Sequence, residues 1–178
     1  MSECSYVIEG GATGRDRLRL LSEVMGPQSR ELLAQIAMPA DASCLDLGCG
    51  GGDVTVDLAR TVGPAGKVIG VDTDNVVLDI ARKEAMELGL ANVSFECHDV
   101  TTWEPPEDFD VVYARFLLTH LSDPLKVLVN ARNNLRPGGM VILEDIDFRG
   151  HFAEPECPAL QRSVDFYSAT VRNRGGDP

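Results

Sequence analysis

The chain has 178 residues, enough for one domain with a real core. Hydrophobic residues make up 44% and charged residues 25%, as in ordinary globular proteins, and the formal net charge is −12. That charge opposes binding to bare nucleic acid, whose affinity comes largely from cationic contacts to phosphate. No run of about 18 apolar residues indicates a membrane-spanning helix, and no basic start with an apolar stretch indicates a leader. Five scattered cysteines without a Cys-x-x-Cys pair offer neither zinc spacing nor a redox motif. They fit a reducing compartment, so a cytoplasmic protein is expected. Cys44, Cys49 and Cys97 are expected to be small core fillers.

In chain order, residues 1–40 read as a helical cap. A glycine-rich leader holds Tyr6, and two helices follow. Leu18, Leu21, Val24 and Met25 share one spacing and Leu32, Leu33 and Ile36 another, with Gly26-Pro27 between them. Residues 41–148 alternate strand and helix patterns, which argues for βαβ units and a parallel sheet. Near-continuous apolar strands suit a sheet covered on both faces. The first strand runs into residues 45–52, Leu-Asp-Leu-Gly-Cys-Gly-Gly-Gly, and a helix pattern starts at Asp53. Such a turn lets backbone approach a ligand closely, where open α/β sheets bind ligands. Residues 67–72 form a second strand ending in Asp72. Asp74 caps a helix to about Leu88, which Gly89 stops. Residues 93–100 form a third strand with Asp99 near its end, and residues 109–115 a fourth. Ser122 caps a helix to about Leu135 with Leu125, Leu128, Ala131 and Leu135 facing inward, and residues 135–144 hold a turn and a fifth strand. Residues 149–178 read as a C-terminal helical segment, with the helix at 157–174 and no further strand after it. The whole chain is expected to be a single domain, with the fifth strand at an open edge unless that edge is supplied otherwise, and with truncation of the C-terminal part as the alternative.

The glycine turn fails the dinucleotide fingerprint, because Asp53 stands where Gly48-x-Gly50-x-x requires a third glycine. A carboxylate at that helix start would repel a pyrophosphate. No Gly-Lys-Ser/Thr follows, so a P-loop is excluded too.

Asp46-x-Gly48-x-Gly50-x-Gly52 resembles motif I of the class I S-adenosylmethionine-dependent methyltransferases. The acids Asp72 and Asp99 on the next strands, the fourth strand and the 135–144 turn and strand follow in the family's order, so the resemblance covers residues 40–146. It implies a doubly wound, Rossmann-like α/β fold with strand order 3-2-1-4-5 and S-adenosylmethionine as cofactor. The family's sixth and seventh strands are not found in this chain. The resemblance places the methionine tail at Asp46 and the turn Gly48, Cys49, Gly50 and Gly52. It places the ribose diol at Asp72 beside Thr73, the adenine at Asp99 and the Val100 amide, and further contacts at Ala114 and Arg115. Arg115 would pair with a carboxylate of cofactor or substrate, or with one of the chain's acids. The resemblance favours the branch that methylates small molecules, with a small-molecule acceptor, no nucleic acid, no membrane and no metal. Glu144, Asp145 and Asp147 are read as an acidic strand end. His98 and His120 are read as packed histidines, His120 with a minor reading as general base. Tyr6 is read either as closing over the cofactor or as a core aromatic. The catalytic residue is unassigned, and oligomeric state is open between monomer and homodimer. The rival is a non-catalytic cofactor-binding or interaction protein of the same fold; a nicotinamide-dependent oxidoreductase is a distant third.

Overall fold

A computed structural model of the chain describes residues 10–105, 108–148, 150–173 and 175–176. Tyr6, Cys4, Pro106 and the terminal Asp177-Pro178 lie outside the described residues. The order of elements is α1 (Gly11–Gln35), β1 (Ser43–Leu47), α2 (Asp53–Val62), β2 (Lys67–Asp72), α3 (Asn75–Glu87), β3 (Val93–Cys97) and β4 (Phe109–Arg115). A 3-10 turn (Leu118–His120), α4 (Pro124–Asn133), β5 (Leu135–Glu144) and α5 (Pro158–Asn173) follow.

The strands pair in parallel in the order β3-β2-β1-β4-β5, as the alternating pattern predicts. Their period of two splits the core between the faces of the sheet. Cys44, Val68, Val111 and Tyr113 pack against Leu33, Val54, Leu58 and Val62. Leu45, Leu47, Ile69, Val71, Val112 and Ala114 pack with Val127 and Ala131. Asp46 shares the parity of Cys44 and so faces α1 and α2. Among the described residues β5 pairs with β4 alone, which leaves its outer edge unpaired.

The structure corrects the sequence reading at several points. α1 is one helix that runs through Gly26-Pro27. Pro27 removes one backbone bond and would cost about 3 kcal/mol in an isolated helix. Burial on both sides of it, at Arg15 and at Ser29 and Leu33, offsets that loss. Leu18 and Leu21 face inward as expected, but Val24 is exposed. Asp74 caps α3, accepting the Val76 and Val77 N–H groups. α4 is capped by Asp123, not Ser122; its carboxylate accepts the Lys126 N–H at 3.1 Å, with Pro124 in the first turn. Its inward face is Val127 and Ala131, and Leu125 points to solvent. β3 stops at Cys97, two residues short of Asp99. Cys44 is buried, but Cys97 is exposed, so it fills no core.

Candidate active site

A cavity of about 560 Å³ lies beyond the carboxyl ends of β1 and β2, under the first half of α1. That is a usual size for a small-molecule site. The turn after β1 forms its floor. Gly48 and Gly50 adopt φ of 68° and 50°, a left-handed backbone that glycine takes without strain. A Cβ at Gly48 would meet Leu117 Cδ1 at 2.9 Å, so the bare backbone is also a packing requirement.

Asp46 is buried and accepts the Thr55 hydroxyl at 2.6 Å. Burial pushes its pKa up to about 7, and the neighbouring Asp72 and Asp53 push the same way; Thr55 and the charge of Arg115 pull it down. Asp72 accepts the Gly50 N–H at 2.9 Å and the Asp74 N–H at 3.0 Å, one on each oxygen. It therefore ties the glycine turn to the start of α3 while still lining the cavity. Each oxygen keeps a free lone pair, so the carboxylate can accept two further hydroxyl groups.

α1 forms the roof through Gly14, Arg17, Leu18 and Leu21. It is held by Arg15, whose guanidinium grips Asp53 with two bonds, at 2.7 and 3.0 Å, and reaches Glu84 at 2.6 Å. Arg19 also pairs with Glu84. The Asp53 carboxylate, in the first turn of α2, is compensated by Arg15. The expected repulsion of phosphate at this helix start is weakened accordingly. Asp74 accepts the Gly11 N–H at 2.7 Å, a second tie on the roof.

The far wall is made by Arg115, Phe116 and His120. Phe116 is the one non-glycine residue with positive φ (55°) among the described residues, a conformation of the kind that gathers at functional sites. Arg115 donates to the Ser29 hydroxyl at 3.0 Å, and Ser29 donates to Glu144 at 3.0 Å. Tyr113 donates to Glu144 as well. His120 meets Tyr167 edge-on, and burial holds its pKa below the ordinary value, so the ring is neutral at pH 7.

The sequence of residues 40–172 matches a family described as "Methyltransferase domain". The chain belongs to the class I S-adenosylmethionine-dependent methyltransferases. It is 34% identical to the demethylmenaquinone methyltransferase of Lactococcus lactis, over 72% of this chain and 49% of that protein. It is 34% identical to the trans-aconitate 2-methyltransferase of Variovorax paradoxus, over 76% of this chain and 49% of that one. The chain thus spans about half the length of these curated relatives. Among solved structures, the [4+2]-cyclase SpnF superposes with a TM-score of 0.58 at 28% identity, covering 65% of this chain and 43% of that one.

Within this methyltransferase domain, Asp46, Gly48, Cys49, Gly50, Asp72, Thr73 and Arg115 all line the one cavity. Four other expected contacts do not. Asp99 falls in the turn after β3, where one oxygen takes the Thr101 N–H at 2.9 Å and its hydroxyl at 2.7 Å, an Asx turn. Val100 and Ala114 are buried in the core beneath α4. Gly52 faces Phe95 and Ala81, at the packing of α2 on its neighbours. His98 stacks on Trp103 at 4.8 Å and contacts Glu96, the packed role expected of it. Glu144, Asp145 and Asp147 are engaged separately: Asp145 accepts the Leu118 N–H, and Asp147 the Gly150 N–H. Sequence reasoning missed the roof residues Gly14 and Arg17 and the clasp Arg15. The only signal for them was an arginine-rich first half of α1.

Proposed function

We propose that this cavity binds S-adenosylmethionine and serves methyl transfer to a small-molecule acceptor. The observation that carries the reading is the pair of carboxylates, Asp46 and Asp72, on adjacent strand tips, flanking one glycine turn and opening into one cavity. Bound S-adenosylmethionine supplies a methyl group on a positively charged sulfur. Asp72 accepts the ribose diol, with Thr73, Val76 and Val77 along the nucleoside. Asp46 accepts the ammonium of the methionine tail, and the turn receives its backbone. Asp99, one of whose oxygens is engaged by Thr101, and the Val100 amide are the proposed contacts of the adenine. Alignment of two reactants supplies roughly 7–11 kcal/mol of such a displacement, and the roof α1 excludes water. The curated relatives are named for small-molecule acceptors, which supports that class here. The net charge of −12 and the free thiols support a partner other than nucleic acid and a reducing, cytoplasmic location.

Calorimetry with S-adenosylhomocysteine tests the site. Asp72→Ala is expected to lose about 1.5–3 kcal/mol of binding free energy, since a hydrogen bond to a charged group is being removed. Unchanged affinity in a folded variant removes Asp72 from the site. Because SpnF shares the fold as a cyclase, transfer of labelled methyl to a panel of small acceptors is the companion assay. Tight cofactor binding without turnover favours the non-catalytic rival.

The pKa of Asp46 gives a second expectation. At pH 6 the free protein holds this carboxyl mostly protonated, because its pKa is about 7. An ammonium placed against it favours the carboxylate, so binding expels a proton. Affinity should rise as pH goes from 5 to 7, by up to about tenfold per unit, and then level off. Calorimetry in two buffers of different ionisation enthalpy reads the proton directly. No release at pH 6 would put the ammonium elsewhere.

A further inference from the structure

Four carboxylates line the cavity, and each is already answered by a donor of the chain. Asp46 takes Thr55, Asp53 takes Arg15, Asp72 takes the Gly50 and Asp74 N–H groups, and Asp74 takes those of Gly11, Val76 and Val77. The two guanidinium groups that line the same space, Arg17 from α1 and Arg115 from the end of β4, have no such answer. Among the described residues no carboxylate oxygen lies within 4.0 Å of either. Arg115 has a neutral partner, the Ser29 hydroxyl, which orients it without cancelling its charge. The Nε of Arg17 is buried and has no hydrogen-bond partner among the described residues. In a chain with 28 acidic and only 16 basic side chains, two such cations in one cavity run against composition.

The cofactor tail brings one carboxylate, and the first turn of α2, whose Asp53 and Val54 line the cavity, offers backbone N–H groups to it. That leaves the guanidinium pair in excess of what the cofactor needs. We propose that the methyl acceptor is an anion, a small carboxylate-bearing molecule whose charged group is received by Arg17 and Arg115. Guanidinium groups suit this task because their planar fork matches a carboxylate with two parallel bonds. Burial pulls Arg115 below its ordinary pKa, against the charges of Asp46, Asp53 and Asp57. An anion bound there would reverse that. The same arginines draw an anion toward a protein whose net charge repels it. Arg17 lines the cavity together with Arg115 and His120, and Tyr167 meets the His120 ring edge-on. Asp145 bears on His120 and Tyr167 and takes backbone N–H groups of Leu118 and Ile146.

The inference rests on the methyl-transfer reading of this cavity. Its test is calorimetric titration with citrate, fumarate and benzoate, each against its neutral amide, with and without saturating S-adenosylhomocysteine. At least one carboxylate is expected to bind tenfold or more tightly than its amide. Arg17→Gln and Arg115→Gln should each erase that preference by tenfold, while Arg17→Lys, which keeps the charge, retains most of it. Carboxylates that bind no better than their amides overturn the proposal without any variant being needed. So does a preference that survives both Gln substitutions, or a loss confined to S-adenosylhomocysteine affinity. Failure of S-adenosylhomocysteine to bind at all refutes the cofactor reading instead, and the titration without it still reports the carboxylate preference.

Discussion

Gly52→Ala is expected to destabilise the protein by about 2–5 kcal/mol. Two separate costs meet at this position. Gly52 sits at the N-cap of α2 with φ 76° and ψ 13°, a left-handed conformation that costs an L-residue roughly 1–2 kcal/mol. The added Cβ would also lie 2.6 Å from Cε1 and 2.7 Å from Cζ of Phe95, and 3.3 Å from the Ala81 Cβ. Phe95 is buried in a small cluster with Leu78, Ala81 and Ala85, so its ring cannot swing aside into solvent. Overpacking of that kind costs about 1–3 kcal/mol. Urea unfolding measures the sum. The double variant Gly52→Ala/Phe95→Leu should recover the packing share and leave the backbone share, a non-additive result. A loss below about 1 kcal/mol would mean that the turn is looser than its geometry shows.

Arg15→Ala should cost about 2–4 kcal/mol and free the roof of the cavity. Breaking a buried ion pair by removing one partner costs 3–5 kcal/mol in general. The value here is lower because Asp53 and Glu84 are about a quarter exposed, at 25% and 27%, and can rehydrate, whereas the Arg15 side chain is only 4% exposed. Arg15→Lys should rescue little, because an ammonium cannot reproduce the two-pronged grip on Asp53. Glu84→Gln should cost less than Arg15→Ala, since Arg15 keeps Asp53. The clasp also has an acid limit. Burial pushes the Glu84 carboxyl up, but the bonds and charges of Arg15 and Arg19 outweigh it and hold its pKa below the ordinary value. The unfolded chain therefore takes up the Glu84 proton first as pH falls. This contribution is present above the usual glutamate pKa and fades as pH drops through the lowered one. Hydrogen exchange in the first half of α1 should rise in Arg15→Ala more than in α3 or the strands. A uniform rise would show that α1 does not open separately.

The parts of the fold that could be read beforehand are those where local chemistry and tertiary demand agree. An apolar run ending in an acid and followed by glycine marks β1 at Asp46. Lys67 to Asp72 repeats the apolar-to-acid pattern at β2. Asp74 and Gly89 bracket α3 by ordinary cap chemistry. What was misread depended on partners far away in sequence. Pro27 looked like a boundary because its local cost is real; the burial of Arg15 and Leu33 that overrides it is set by α2, α3 and the sheet. The arginine-rich first half of α1 did not single out Arg15, because an arginine on a polar helix face is usually solvated. Only the 38-residue separation from Asp53 and the 69-residue separation from Glu84, closed by the fold, make it a clasp.

A crystal structure with S-adenosylhomocysteine bound tests the central claim most directly. The account requires the ligand under α1, with its diol oxygens within hydrogen-bond distance of Asp72 and its amine facing Asp46. A ligand seated elsewhere, or both carboxylates turned away from it, would contradict the account.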